Sequence, residues 1–222
     1  MDTPLRSFLY IYLGFLPLLL FFIRFVIQWL YSEHHKESRV PKIFWQLSLA
    51  GNLLLMLHFS IQMQFIFMIT QVINAVISWR NLNLKSLNPF SIRQTFKILF
   101  ISCFVTSLLF ISQSIYVLGK IEWQRIPLIP GIERASISSY WHILGFIGII
   151  LFSLRFWLQW WKSEIKKESI LPPIFWKISI LGAAITCVYG ILTKDLVLIL
   201  GHSVGLIPYI RNLILIKKKK LV

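Results

Sequence analysis

Two arginines interrupt apolar runs of this 222-residue chain, in the blocks RFVIQWLYSE, residues 24–33, and RFWLQWWKSE, residues 155–164. In each block a glutamine follows four residues after the arginine, and a serine four residues after that. Residues spaced by four share a helix face. Arg24, Gln28 and Ser32 therefore make one polar stripe, and Arg155, Gln159 and Ser163 make its twin. A guanidinium presents a planar fork of donors to a phosphate or carboxylate. Near the middle of a membrane span it costs about 2.5–3.5 kcal/mol on insertion scales, less where the side chain snorkels. A stripe facing lipid would find no partner, so both stripes belong in a bundle interior or a wet cavity.

Further along each half a second stripe falls at helical spacing. Gln71, Asn74, Ser78 and Asn81 form the first, and His202, Gly205, Tyr209 and Asn212 the second. Two converging stripes per half, each ending in Arg-Asn, describe a polar cleft open toward the cytoplasm. Arg24, Gln28, Ser32, Asn74, Asn81, Arg155, Gln159, Ser163, His202, Tyr209 and Asn212 are the candidate ligand-binding residues. The competing arrangement is an internal network in which Arg24 pairs with Glu33, Glu37 or helix-end carbonyls. Glu33, Glu164 and Asp195 are the candidate proton or charge sites. No HExxH, GxSxG, P-loop or GxGxxG pattern occurs, so the sequence points to no catalytic residue, metal or cofactor. Cys103 and Cys187 fall in apolar runs without metal-type spacing and read as small hydrophobes.

The elements that must carry these stripes are membrane spans. The chain is 57% hydrophobic and 14% charged, with a mean hydropathy of +0.72, whereas soluble domains carry about 25% charged residues. Spans are expected near 8–31, 42–60, 62–80, 96–118, 140–161, 173–192 and 196–215, with a polar loop at 119–139. The first reads as a retained span rather than a removed signal peptide. The tryptophans at span ends, Trp29, Trp45, Trp79, Trp160, Trp161 and Trp176, suit an interfacial aromatic belt.

With the N-terminus outside, 16 of the 23 Lys and Arg fall on inner segments and 5 on outer ones, leaving Arg24 and Arg155 within spans. Cytoplasmic cations set orientation, so a multi-pass protein with N-terminus out and C-terminus in is expected. The net charge of +15 is then a matter of topology and of a KKKK tail drawn to anionic lipid. Nucleic acid is not an expected partner.

An internal repeat underlies all of this. At a constant offset of 131, residues 24–51 share 15 identities with their counterparts, and Arg80-Asn81-Leu82 maps onto Arg211-Asn212-Leu213. Each copy holds three spans, and the fourth span is unrepeated. An odd number of intervening spans makes the copies like-oriented. The expected fold is all-α and integral to the membrane: two parallel three-helix bundles plus a linker helix. Its parts are residues 1–95, a linker and outer loop at 96–139, and residues 140–222 with the basic tail. Parallel repeats of this kind are a transporter plan, with the site between halves.

The shared pattern RFxxQWxxSExxKxSxxPxxFWxxS, followed by DxVxxxG and RNL, resembles the lipid A biosynthesis N-terminal domain family in tandem copies. The second copy matches more fully, with Asp195, Gly201 and Tyr209 where the first has Gln64, Thr70 and Ser78. His202 stands where a glutamine is expected. The resemblance implies kinship with PQ-loop and SWEET-like bundles, a 3+1+3 plan and a bacterial inner membrane. It also implies a tie to lipid-A-disaccharide synthase, some of which carry such an extension. Partners implied are membrane lipids, lipid A precursors or polyprenyl-phosphate-linked sugars, and a lipid A biosynthetic enzyme. A carrier or flippase-like binder of an anionic headgroup is the leading expectation, and an anchor or scaffold for the glycosyltransferase is the alternative. An enzyme using Glu33 and Glu164 is the third reading.

Overall fold

The computed structural model describes residues 4–35, 40–126 and 136–219. Among them are seven helices: α1 (Pro4–His35), α2 (Lys42–Ile61), α3 (Phe65–Asn83), α4 (Ile92–Leu118), α5 (Ser139–Lys166), α6 (Pro173–Thr193) and α7 (Leu196–Lys219). All seven are long and apolar enough to cross a membrane. Each expected span corresponds to one of them. Pro17 and Pro208 lie inside α1 and α7 without ending them, as neighbouring helices permit in membrane helices.

Local chemistry sets several ends. Ser91 and Gln94 form a reciprocal capping box at the start of α4, and Gly119 ends it in the left-handed region at φ 70°. Pro173 opens α6 at a position where its missing N–H costs nothing. Asp195 caps α7, its Oδ1 accepting from the N–H groups of Val197 (3.0 Å) and Leu198 (3.2 Å). The turns α2–α3 and α6–α7 fall at matching places in the repeat and share a backbone feature, although their residues differ. Met63 and Lys194, counterparts in the repeat, both take positive φ, 58° and 55°.

Within the first half α2 packs on α1 and α3, and within the second α6 packs on α5 and α7. The halves meet along two seams, α3 on α5 and α1 on α7, while α4 lies against α3. Both cores draw on both halves. One gathers Tyr10, Phe59 and Phe67 with Ile149, Tyr189 and Val197. The other gathers Phe25, Phe44 and Trp45 with Phe156, Phe175, Trp176 and Tyr209. Large apolar side chains on α1, α4, α5 and α7 point outward, as helices in lipid do.

The aromatic-belt expectation holds only in part. Trp29 and Trp161 are exposed, but Trp45 and Trp176 are both 0% exposed and Trp160 is buried. A ring that packs edge-on against its neighbour, as Trp45 does on Phe44 and Trp176 on Phe175, is a core filler. Cys103 and Cys187 are free and half-buried.

A paired-arginine cavity between the halves

The guanidiniums of Arg24 and Arg155 lie in the bundle interior, each 2% exposed. They are held alike. Arg24 donates to Ser48 Oγ (2.6 Å) and Arg155 to Ser179 Oγ (3.2 Å), each one helix over and at matching places in the repeat. Each serine in turn donates to a carbonyl one turn earlier, Phe44 O and Phe175 O. Aromatic faces line both charges. Arg24 Cζ stands 4.3 Å from the Phe21 ring and 4.9 Å from Phe25. Arg155 Cζ stands 3.5 Å from Phe152 and 4.6 Å from Phe156. Such contacts offset part of the cost of burying a cation. The halves differ at one point, since Arg155 also donates to Tyr209 O–H at 2.9 Å where the first half has Ser78.

Both arginines face one cavity of about 60 Å³. Its wall is built from repeat partners: Leu18 and Ile149, Phe21 and Phe152, Arg24 and Arg155, Phe25 and Phe156, Gln71 and His202. Asn52, Asn74 and Tyr209 add polar groups. Arg24 Nε, Arg155 Nε, Asn74 Oδ1 and His202 Nε2 are buried without a hydrogen-bond partner. Among the described residues no acid pairs with either arginine, and both guanidiniums stand against the same Phe156 ring. Two forks converging on a space of this size suit one phosphate- or carboxylate-sized anion.

The expected cleft open to the cytoplasm is not what forms. The end of the bundle that carries Lys42, Arg80 and Lys167 is closed by bonds between the halves. Arg80 meets Glu164 in a bidentate pair, Nε–Oε1 2.6 Å and N–H of the second branch to Oε2 3.1 Å. Trp160 Nε1 donates to the same carboxylate at 2.8 Å. Gln159 and Asn81 exchange amide bonds at 2.8 and 3.2 Å. Ser169 donates to Asn81, and Trp45 donates to Ser169. Polar side chains that converge with good geometry satisfy one another before they leave a channel.

The candidate residues therefore separate. Arg24, Arg155, Asn74, His202 and Tyr209 reach the cavity. Gln159, Ser163 and Asn81 belong to the closing network. Gln28 donates to Ser32 at 3.1 Å, and Asn212 donates to Pro208 O of its own helix. Glu164 turns to Arg80, away from the cavity, and so is no acid or base for a ligand there. Asp195 is a cap tied to Tyr10 O–H at 2.8 Å. The Glu33 side chain, and all of Lys36–Arg39, lie outside the described residues. Sequence reading passed over Ser48, Ser179 and Asn52 as site residues. The two serines carried a signal all the same, as an identical pair within the repeat.

A model described as the Lipid A Biosynthesis N-terminal domain matches residues 13–83 and again residues 144–214. The chain belongs to that family. The two matched domains keep the same offset that relates the arginines, so each Lipid A Biosynthesis N-terminal domain brings one arginine to the shared cavity. Curated relatives include a lipid-A-disaccharide synthase of Chlamydia felis, 39% identical over 93% of this chain and 33% of the relative. Those of Chlamydia muridarum (36%, 95% of this chain, 35% of the relative) and Chlamydia pneumoniae (38%, 94%, 33%) are similar. The chain spans about one third of the length of these relatives. No solved structure matches it.

Proposed function

We propose that the chain is a membrane module of lipid A biosynthesis that holds an anionic lipid headgroup and stations a glycosyltransferase such as lipid-A-disaccharide synthase beside it. The observation that carries this reading is the convergence of Arg24 and Arg155 on one cavity with no described acid to pair with them. Buried cations cost several kcal/mol each unless balanced, and a phosphate supplies both the charge and the acceptors. Lipid A precursors and polyprenyl-phosphate-linked sugars share that chemistry. The relatives' name supports the enzyme partner, and the membrane is then a bacterial inner membrane with the N-terminus outside and the basic end at the cytoplasmic leaflet.

The architecture belongs to the same proposal: like-oriented halves, residues 1–95 and 140–222, joined by a 96–139 linker in a SWEET-like 3+1+3 plan. The repeat-related pairs in the cavity wall and the equivalent turns at Met63 and Lys194 support it. A cavity on the boundary between such halves also keeps a carrier or flippase-like role in view. The closed basic end and the small volume favour holding over moving.

Native mass spectrometry of the purified chain in anionic and zwitterionic lipid tests the headgroup site. Wild type retains one more anionic lipid than Arg24→Met/Arg155→Met; equal retention removes the headgroup reading. Co-expression with a lipid-A-disaccharide synthase lacking such an extension tests the stationing role, the synthase moving to the membrane fraction only when the chain is present. Dye-lipid scrambling in vesicles separates the carrier, which moves the probe across the bilayer, from the holder, which does not.

A further inference from the structure

The two seams between the halves are filled differently. Along α3 and α5, the linker helix α4 packs on α3, and its Phe96 ring sits 5.2 Å from Trp160 of α5. Along α1 and α7 runs a groove of about 640 Å³. That volume lies in the range of ligand pockets. Its walls are apolar: Phe15, Leu19, Phe22 and Val26 of α1, and Val204 and Ile207 of α7. Gly201 and Gly205 contribute no side chain, which deepens it. At its basic end stand Trp29, Arg211 and Asn212.

The same positions of the other seam show what this basic end can hold. There Arg80, the repeat counterpart of Arg211, grips a carboxylate with two parallel bonds, and Asn81 bonds Gln159. At the groove Arg211 is exposed. Asn212 bonds only its own helix among the described residues, and Gln28 Oε1 is buried without a donor. The counterpart of Glu164 is Glu33, whose side chain lies outside the described residues. An apolar trough ending in an arginine fork matches an acyl chain ending in a phosphate.

We propose that the α1/α7 groove seats an acyl chain of an anionic phospholipid whose phosphate is held by Arg211. This site is separate from the central cavity, although Leu18, Phe21, Phe25 and Gly201 line both. It stands or falls independently of the headgroup reading above.

The test uses the full chain in vesicles of phosphatidylcholine doped with phosphatidylglycerol that carries a diazirine in its acyl chain. Photoadducts are expected to concentrate on the groove faces of α1 and α7 over the outward faces of α4 and α6. Val204→Trp, which fills the trough, lowers groove adducts several-fold. Arg211→Gln lowers them for phosphatidylglycerol but not for a diazirine-labelled diacylglycerol, which carries no phosphate. Val204→Phe repeats the first arm if the tryptophan variant unfolds. Adducts spread evenly over all outward faces, or unchanged in Val204→Trp, overturn the proposal. Two further results also overturn it. Inorganic phosphate binding Arg211 with no dependence on the trough makes it a free-anion site, and saturating disulfides between copies of Val204→Cys assign the groove to a second copy.

Discussion

Arg24 and Arg155, far apart in the chain, share one aromatic ring: Phe156 lies 5.9 Å from the first guanidinium and 4.6 Å from the second. Two like charges against one ring are compatible with a stable fold only while both are otherwise satisfied. Removing both charges with apolar residues of similar volume is therefore expected to leave thermal stability equal or raised. Arg24→Met/Arg155→Met should melt at or above the wild-type temperature in the same detergent while losing anionic lipid. A variant that unfolds would assign the arginines a structural role instead.

Breaking the pair that closes the basic end should be costly. Arg80→Ala or Glu164→Ala leaves a buried partner uncompensated, a loss of about 3–5 kcal/mol. Equilibrium unfolding of both singles and the double completes a mutant cycle. The double is expected to lose much less than the two singles together, and additive losses would mean that the pair is uncoupled.

The cap at Asp195 gives a pH dependence. Burial pushes its carboxyl above the usual carboxylate range, so the protonated form is the one the fold favours. That contribution is complete at pH below the unfolded carboxylate value and is lost as pH rises through the folded one. Asp195→Asn keeps the cap and an acceptor for Tyr10 but cannot ionise. It should match wild type in acid and gain on it as pH rises, measured by melting across the titration. Asp195→Ala should lose about 0.5–2 kcal/mol from the cap alone.

Repeat-equivalent glycines should respond unequally. A methyl group on Gly182 meets the backbone of α5, 2.5 Å from Phe152 N and 2.7 Å from its Cα, whereas the atoms nearest to one on Gly51 belong to the Phe21 ring. A ring can turn and a backbone cannot. Gly182→Ala is expected to cost about 1–3 kcal/mol, the range of overpacked cores, and Gly51→Ala less. Phe152 stacks on Arg155 and Phe21 on Arg24, so both variants should weaken anionic lipid retention, the Gly182 variant more than the Gly51 variant.

Much of this molecule could be read along the chain. Hydropathy depends on composition over windows of about 20 residues, so the spans were legible without tertiary information. The constant offset between the copies named the matching residues in advance, and the structure repeats it in hydrogen bonds, turns and cavity wall. Asp195 was legible as a special residue but not as a cap. Its role depends on where α7 starts and on Tyr10, which is remote in sequence and adjacent in space.

The sequence by itself determined the seven helices, the duplication and the burial of Arg24 and Arg155, because each follows from local apolarity and helical spacing. Only the tertiary structure decided which polar groups meet across the seams. Arg80 finds Glu164 and Asn81 finds Gln159, closing a cleft that the stripes alone left open. It also decided that a linker helix stands at one seam and a groove at the other. The physical reason is that a stripe fixes the face a side chain points from, whereas its partner depends on how two faces, distant in the chain, are brought together.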